Sequence, residues 1–128
     1  MADLKEIVFD SCEPAQLARF WAAVLNGYAV RPYDAAEIER LTALGFTPES
    51  DPSVAVDGPG PTLFFQRVSE PKTLRNRVHL DLTTANRVDE VARLTELGAH
   101  VRDEHDAFTV MLDPEGNEFC VRDEPPRK

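Results

Sequence analysis

The sequence predicts an α+β fold built from two tandem βαβββ modules. Three observations carry that expectation. Short runs alternating apolar and polar residues recur along the chain, and a period of two is the mark of a half-buried strand. Three longer segments place apolar residues at helical spacing. Residues 6–30 also lie over residues 77–101 without gaps at a constant offset of 71, so that Asp10 falls on Asp81, Leu17 on Val88, Phe20 on Val91, Gly27 on Gly98 and Val30 on Val101. Identities are few, but the landmarks coincide, which favours an internal duplication over two unrelated strand–helix units.

Taken in order, residues 4–10 form the first strand, with Ile7 and Phe9 on one side and Glu6, Val8 and Asp10 on the other. Ser11-Cys12-Glu13-Pro14 turns into a helix over about 14–25, because proline is favoured at a first helical position where its missing N–H is not needed. Leu17, Phe20, Trp21, Val24 and Leu25 form its apolar stripe, and Trp21 and Phe20 are expected in the core. Asn26-Gly27 ends it. A strand is expected over 28–32, and a second amphipathic helix over 34–45 with Ile38, Leu41 and Leu44 as its stripe. That helix is expected either to cover a pocket mouth or to pack on a second subunit. Strands follow at 53–56 and 62–68, separated by the proline–glycine turn at 57–61, and residues 69–75 read as an exposed connector.

The second half repeats the outline. A strand from Arg77 leads to a helix at 85–97, capped by Thr83 or Thr84, with Val88, Val91 and Leu94 as its stripe. Strands are expected at about 99–103, 107–112 and 117–122, the last two joined by a tight turn at 113–117. The chain is expected to be one domain over 1–128, with modules at about 4–68 and 76–123.

Composition bounds the function. Fourteen basic against 23 acidic residues give a net charge of −9, which disfavours nucleic acid because phosphates need a basic surface. No apolar run approaches a membrane span, and no basic-then-apolar N-terminal segment is present, so a cytoplasmic protein with no membrane partner is expected. Cys12 and Cys120 lack CxxC spacing and are expected to be reduced thiols.

The most informative stretch is Asn76-Arg77-Val78-His79-Leu80-Asp81-Leu82. It alternates strictly, with Val78, Leu80 and Leu82 on one face and Arg77, His79 and Asp81 on the other. An imidazole and a carboxylate on one strand face are unusual for a merely solvated surface. Asp81 reads either as a partner of His79 or as a hydrogen-bonding residue toward a neighbouring strand.

Three stretches, VFDSCEPAQLARFWAAVLNGYAV (8–30), NRVHLDL (76–82) and LDPEGNEFCV (112–121), resemble the vicinal oxygen chelate superfamily, the group of glyoxalases, bleomycin-resistance proteins and extradiol dioxygenases. The resemblance is strongest to its glyoxalase-like domain branch. It implies a curled mixed sheet around a central pocket, often with a divalent metal (Zn, Ni, Mn or Fe) held by the first and last strands of each module. His79 then matches the first-strand ligand of the second module, and Glu118 its last-strand ligand. In the first module the matching position is Glu6 when counted from the Glu13-Pro14 turn, or Val8 by the ungapped repeat. The last-strand position is Thr62 or Leu63, neither an expected ligand. A three-ligand site of Glu6, His79 and Glu118 is what the resemblance leaves, with Glu6 or Glu118 as the proton-transferring carboxylate.

Alternation adds ligand-lining candidates. Cys120 shares the Glu118 face, and with Asp81 it would line the same site. Cys120 is read as a small pocket residue rather than a nucleophile, because a reactive thiol needs a lowered pKa and no base stands beside it. If Thr62 faces the site, Phe64 and Gln66 follow it there, offering a stacking surface and an amide. The opposite parity would bring Leu63, Phe65 and Arg67 instead. Function stays divided between a metal-dependent lyase, isomerase or oxygenase acting on vicinal oxygens, a metal-free small-molecule-sequestering protein, and a structural dimer. A small-molecule ligand and a homodimer are the expected partners.

Overall fold

A computed structural model describes residues 1–124; the end of the expected 1–128 domain lies outside them. The chain divides into two compact units, Met1–Pro71 and a second beginning at Lys72.

The first unit runs β1 (Glu6–Ser11), α1 (Pro14–Val24), β2 (Ala29–Val30), α2 (Ala35–Ala43), β3 (Ser53–Asp57) and β4 (Thr62–Arg67). Its sheet order is β1-β4-β3-β2, with β1 parallel to β4 and the other pairs antiparallel. Parallel neighbours need a long crossover, and here α1, β2, α2 and β3 all lie between them in sequence. Register sets Glu6, Val8 and Asp10 opposite Thr62, Phe64 and Gln66, and Ile7 and Phe9 opposite Leu63 and Phe65. The second set forms the core with α1. Phe9 lies 6.1 Å from Trp21 and 5.0 Å from Phe65, ring centre to ring centre. Leu17, Trp21, Val56 and Phe65 are fully buried, each worth about 1.5–3 kcal/mol by transfer of its side chain from water. The parity left open in the sequence is thereby settled: Thr62, Phe64 and Gln66 share the face away from α1.

The second unit runs β5 (Leu80–Thr84), α3 (Arg87–Glu96), β6 (His100–Glu104), β7 (Phe108–Leu112) and β8 (Glu118–Asp123). Its order, β5-β8-β7-β6, repeats that of the first, again with the first and last strands parallel. Met111, Phe119 and Val121 are fully buried on one face, together with Leu94 of α3. Asp81, Cys120 and Val110 stand in register on the other, followed by Thr83, Arg122 and Phe108.

Several expectations need correction. The strand expected from Arg77 starts at Leu80, so His79 immediately precedes it, and Val78 is 72% exposed rather than core. The cause is pairing: β5 begins only where it meets β8, at Leu80 opposite Phe119. The ungapped offset of 71 holds for Gly27 and Gly98 but not for the strands. Ile7 and Leu80 occupy matching pair positions beside Leu63 and Phe119, and the helices begin at Pro14 and Arg87, both two residues beyond the ungapped offset. The second module reaches its terminal glycine two residues sooner because α3 is one residue shorter than α1 and the segment from helix end to glycine is one residue shorter too. The cap of α3 is Asn86, whose side chain accepts from Asp89 N–H at 3.1 Å, not a threonine. Of the apolar stripes, Leu41 and Leu94 are buried, but Val88, Leu44 and Ile38 are exposed. A helix touching one layer buries only a narrow strip, so the outer members of each stripe face solvent.

The turns are held by matching aspartates. Asp57 precedes β4 and Asp113 precedes β8. Asp113, 1% exposed, accepts from Glu115 N–H and Asn117 N–H, both at 2.9 Å, and from Asn117 Nδ2 at 2.8 Å. Gly116 N–H donates to Asp113 C=O at 2.9 Å, and Gly116 sits at φ +85°, where only glycine is unstrained. At the other turn, a Cβ on Gly58 would lie 2.4 Å from the Tyr28 ring, so a larger residue there displaces the tyrosine.

Candidate functional site

The β5–β8 pair places the chemistry. Since side chains alternate across a strand, the in-register residues Asp81 and Cys120 project from the same face, and Arg122 follows Cys120 on it. His79, just before the strand, brings Nε2 to 3.2 Å from Asp81 Oδ1. The other carboxylate oxygen, Oδ2, accepts from Arg122 Nε at 3.0 Å. Asp81 therefore holds an imidazole with one oxygen and a guanidinium with the other.

Arg122 is fixed in turn. Its guanidinium lies 4.6 Å over the centre of the Phe108 ring, a cation–π contact. Phe108 stacks on His105 with ring centres 4.5 Å apart. The loop bearing His105 is tied down by Arg87 at the start of α3, which donates to the carbonyls of His105 at 2.9 Å and Asp106 at 2.6 Å. A row thus runs from His105 through Phe108, Arg122 and Asp81 to His79. The side chains of His79, Asp81 and Arg122 stay 48%, 44% and 42% exposed, so this face is open to a solute.

Cys120 is buried beneath them. Burial, and then the negative charge of Asp81, push its thiol above the ordinary range despite Arg122. That supports the expectation of an unreactive thiol. A ring nitrogen of His79, an oxygen of Asp81 and Sγ of Cys120 all lie within 4.8 Å of one another, and among the described residues this is the group of three such donors close enough to share an ion.

Glu118 has other company. Lys72 Nζ donates to its Oε1 at 3.1 Å, Asn76 N–H to its Oε2 at 2.9 Å, and Arg102 Nη1 lies 3.6 Å from Oε1. Burial pushes the carboxyl up, but the Asn76 and Lys72 contacts outweigh it, and the group sits below its ordinary range. Its side chain is 13% exposed.

The first unit presents a different surface. Glu6 pairs in register with Thr62, and Val8 with Phe64. Continuing the β5–β8 register back by one residue sets His79 beside Glu118, so Glu6 and Thr62 are their counterparts and Val8 is not the matching position. Thr62 Oγ1 donates to Asp57 Oδ1 at 2.8 Å, and Asp57 also takes a two-pronged ion pair from Arg31. Gln66 Nε2 donates to Asp10 Oδ1 at 2.8 Å. Phe64 is half-buried between Val8 and Ala55.

The sequence reading grouped His79, Asp81, Glu118 and Cys120 on one sheet face. It did not give Arg122, Phe108 or Lys72 a role. Alternation from Glu118 through Cys120 pointed to Arg122. Nothing in the order of residues linked Lys72, in the supposed connector, to Glu118.

Comparison with known proteins agrees with this architecture. A crystal structure of a glyoxalase/bleomycin resistance protein/dioxygenase family enzyme from Burkholderia phytofirmans superposes with a TM-score of 0.67 at 15% identity, covering 95% of this chain and 98% of that one. The fosfomycin resistance protein FosX from Mesorhizobium loti gives 0.66 at 12% identity, covering 95% and 91%. The trypanothione-dependent glyoxalase I of Leishmania major gives 0.62 at 15%, covering 97% and 88%. At such identities these likenesses show the fold. A search of curated proteins finds no match. Residues 6–122 match the family described as the glyoxalase-like domain, and the chain belongs to that family.

Proposed function

We propose that the chain binds a small molecule with an apolar body and an anionic oxygen group on the open face of the second sheet. The observation that carries this reading is the accessible, pre-positioned Arg122. Its guanidinium rests on Phe108, its Nε is oriented by Asp81, and its terminal nitrogens make no hydrogen bond among the described residues. A guanidinium of this kind suits a carboxylate or phosphonate, and the adjoining ring of Phe108 offers apolar surface.

The arrangement does not favour a metal at the position that Glu118 occupies by resemblance. A divalent ion there would have to displace the Lys72 ammonium from a carboxylate that already receives a backbone N–H. Glu118 reads as a fastener between β8 and the segment at 72–76. For the same reason it is a poor proton acceptor, and in an enzymatic version of this site the open imidazole of His79 is the better base. Glu6, Phe64 and Gln66 remain proposed ligand contacts of the first unit. The exposed Ile38 and Leu44 of α2 motivate a homodimer, which a monomeric mass by light scattering would remove.

The test is a thermal-shift screen of small carboxylates and phosphonates against the full chain, since a ligand preferring the native state raises its stability by about 2.7 kcal/mol at a hundred times its Kd. Stabilisation that disappears in Arg122→Ala and persists in Arg19→Ala, at an exposed arginine of α1, is expected. A screen without hits, or hits indifferent to Arg122→Ala, contradicts the proposal.

A further inference from the structure

We infer that Arg87, at the start of α3, is a positioning residue that holds Arg122 in its anion-binding posture, acting through the turn at 105–108 and the ring of Phe108. That role rests on Arg122 being the anion-binding group.

The turn needs a fastener from outside. β6 and β7 are joined by a two-residue loop, Asp106-Ala107, flanked by the Glu104–Thr109 pair and by His105 N–H, which donates to Phe108 C=O at 2.9 Å. Two-residue loops favour turns of positive φ, whose twist matches the strands they join, and such turns call for Gly, Asn or Asp. Ala107 suits no such turn, and neither loop residue has positive φ. A loop of this kind splays its strands, and the splay falls where His105 and Phe108 stand side by side.

Arg87 supplies the fastening. Its Nη1 donates to His105 C=O at 2.9 Å and its Nη2 to Asp106 C=O at 2.6 Å, so the planar fork spans two successive carbonyls. Nη1 also lies 3.4 Å from Oγ1 of the buried Thr109, and Nε lies 3.3 Å from Asp123 Oδ2 at the end of β8. One guanidinium thus ties the loop to β7 and β8. An ammonium has no fixed fork and could not make the same set of contacts.

The turn carries the seat of Arg122. The His105 ring stacks on Phe108 with 4.5 Å between centres and 24° between planes. Phe108 pairs in register with Arg122, and the guanidinium lies 4.6 Å over its ring. When the turn is released, the imidazole leaves Phe108, the ring loses its fixed orientation, and Asp81 alone remains to aim the guanidinium. The β7–β8 ladder runs on to Leu112 and Glu118, away from the loop, so the change is one of side-chain aim rather than of fold.

Proton NMR of the ligand-free full chain tests this, because an aromatic ring beneath a guanidinium moves its Nε–H signal upfield. Phe108→Leu removes the ring and gives the unshifted position. The Arg122 Nε–H signal is expected upfield of that position in the parent chain. In Arg87→Gln it should move most of the way to it. Arg87→Lys keeps the charge but loses the fork, and should move the signal nearly as far; it carries the test if Arg87→Gln does not fold. Arg93→Gln, the same change further along α3, should leave the signal in place. Benzoate titration of the same proteins is the second readout. Both Arg87 variants should bind benzoate about three- to fivefold more weakly than the parent chain, the worth of an exposed cation–π seat. An Arg122 signal unmoved in the Arg87 variants overturns the inference, whatever happens to their stability. A moved signal with unchanged benzoate affinity overturns it too. A parent chain that binds no benzoate counts against the anion-binding reading and not against this inference, which the Arg122 signal then decides alone.

Discussion

The two units share one scaffold and differ in what they do with it. Both run their strands in the order first, last, third, second, with a helix on one face. In the first unit, the positions matching His79 and Glu118 hold Glu6 and Thr62, and the positions matching Asp81 and Cys120 hold Val8 and Phe64. Its open face is therefore largely apolar along its middle, with the Gln66–Asp10 pair at one end. The second unit puts an imidazole, a carboxylate, a thiol and a guanidinium in mutual contact. Buried faces must repeat because the core is packed by the same elements, whereas open faces are free to diverge. The duplication is thus legible in architecture and nearly erased in chemistry.

The core sets the largest expected effect. Phe119→Ala and Phe65→Ala remove fully buried rings, one from each unit, and each should cost about 3–5 kcal/mol. Urea unfolding followed at Trp21, which reports the first unit, sharpens the comparison. A transition moved by Phe65→Ala but not by Phe119→Ala would mean that the units unfold independently.

The two turn aspartates come next. Asp113→Ala strands two backbone N–H groups and the Asn117 amide in a part-buried turn, and should cost about 2–3 kcal/mol in urea midpoint analysis. Asp57→Ala, at the matching place, loses a largely exposed pair with Arg31 and should cost at most about 1 kcal/mol. Equal costs would break the distinction between a buried and a solvated version of one turn.

A chemical difference of smaller energetic weight lies in the thiol. Cys120 should alkylate slowly at neutral pH and faster as pH rises, and Asp81→Asn should speed it, because one of the influences raising the thiol is then gone. Mass-resolved labelling reads this directly. The smallest effect is at Val88, 80% exposed, where Val88→Thr should move stability by less than about 0.5 kcal/mol. A larger loss would show that α3 buries its outer stripe against something further.

Much of this was written locally. The Pro14 start, the Gly27 and Gly98 stops and the 113–117 turn depend on neighbours within a few residues, and each was legible. The role of Asp81 was legible only as two alternatives, a partner for His79 or a hydrogen bond to a neighbouring strand, and Asp81 makes both contacts. What failed depended on partners distant in sequence. The start of β5 is set by where β8 lies, and the true register between modules by a helix and a helix exit each one residue shorter in the second copy. Val88 and Val91 look alike in sequence, but only the packing decides which is covered. Lys72 lies 46 residues from Glu118, and only the fold brings ammonium and carboxylate to 3.1 Å.

The state of Glu118 is accordingly the point on which the account turns. Its lowered carboxyl means that the charged form is favoured by folding. The Lys72 and Asn76 contacts stabilise the chain above the ordinary glutamate range, and that increment is lost as pH falls through the folded value. Carbon-13 NMR titration of the Glu118 side-chain carboxyl, in the parent chain and in Lys72→Met, measures it. The account predicts titration below the ordinary glutamate value in the parent chain and an upward move in Lys72→Met. Titration at or above the ordinary value, unchanged by Lys72→Met, would contradict it and return Glu118 to the role of a free ligand.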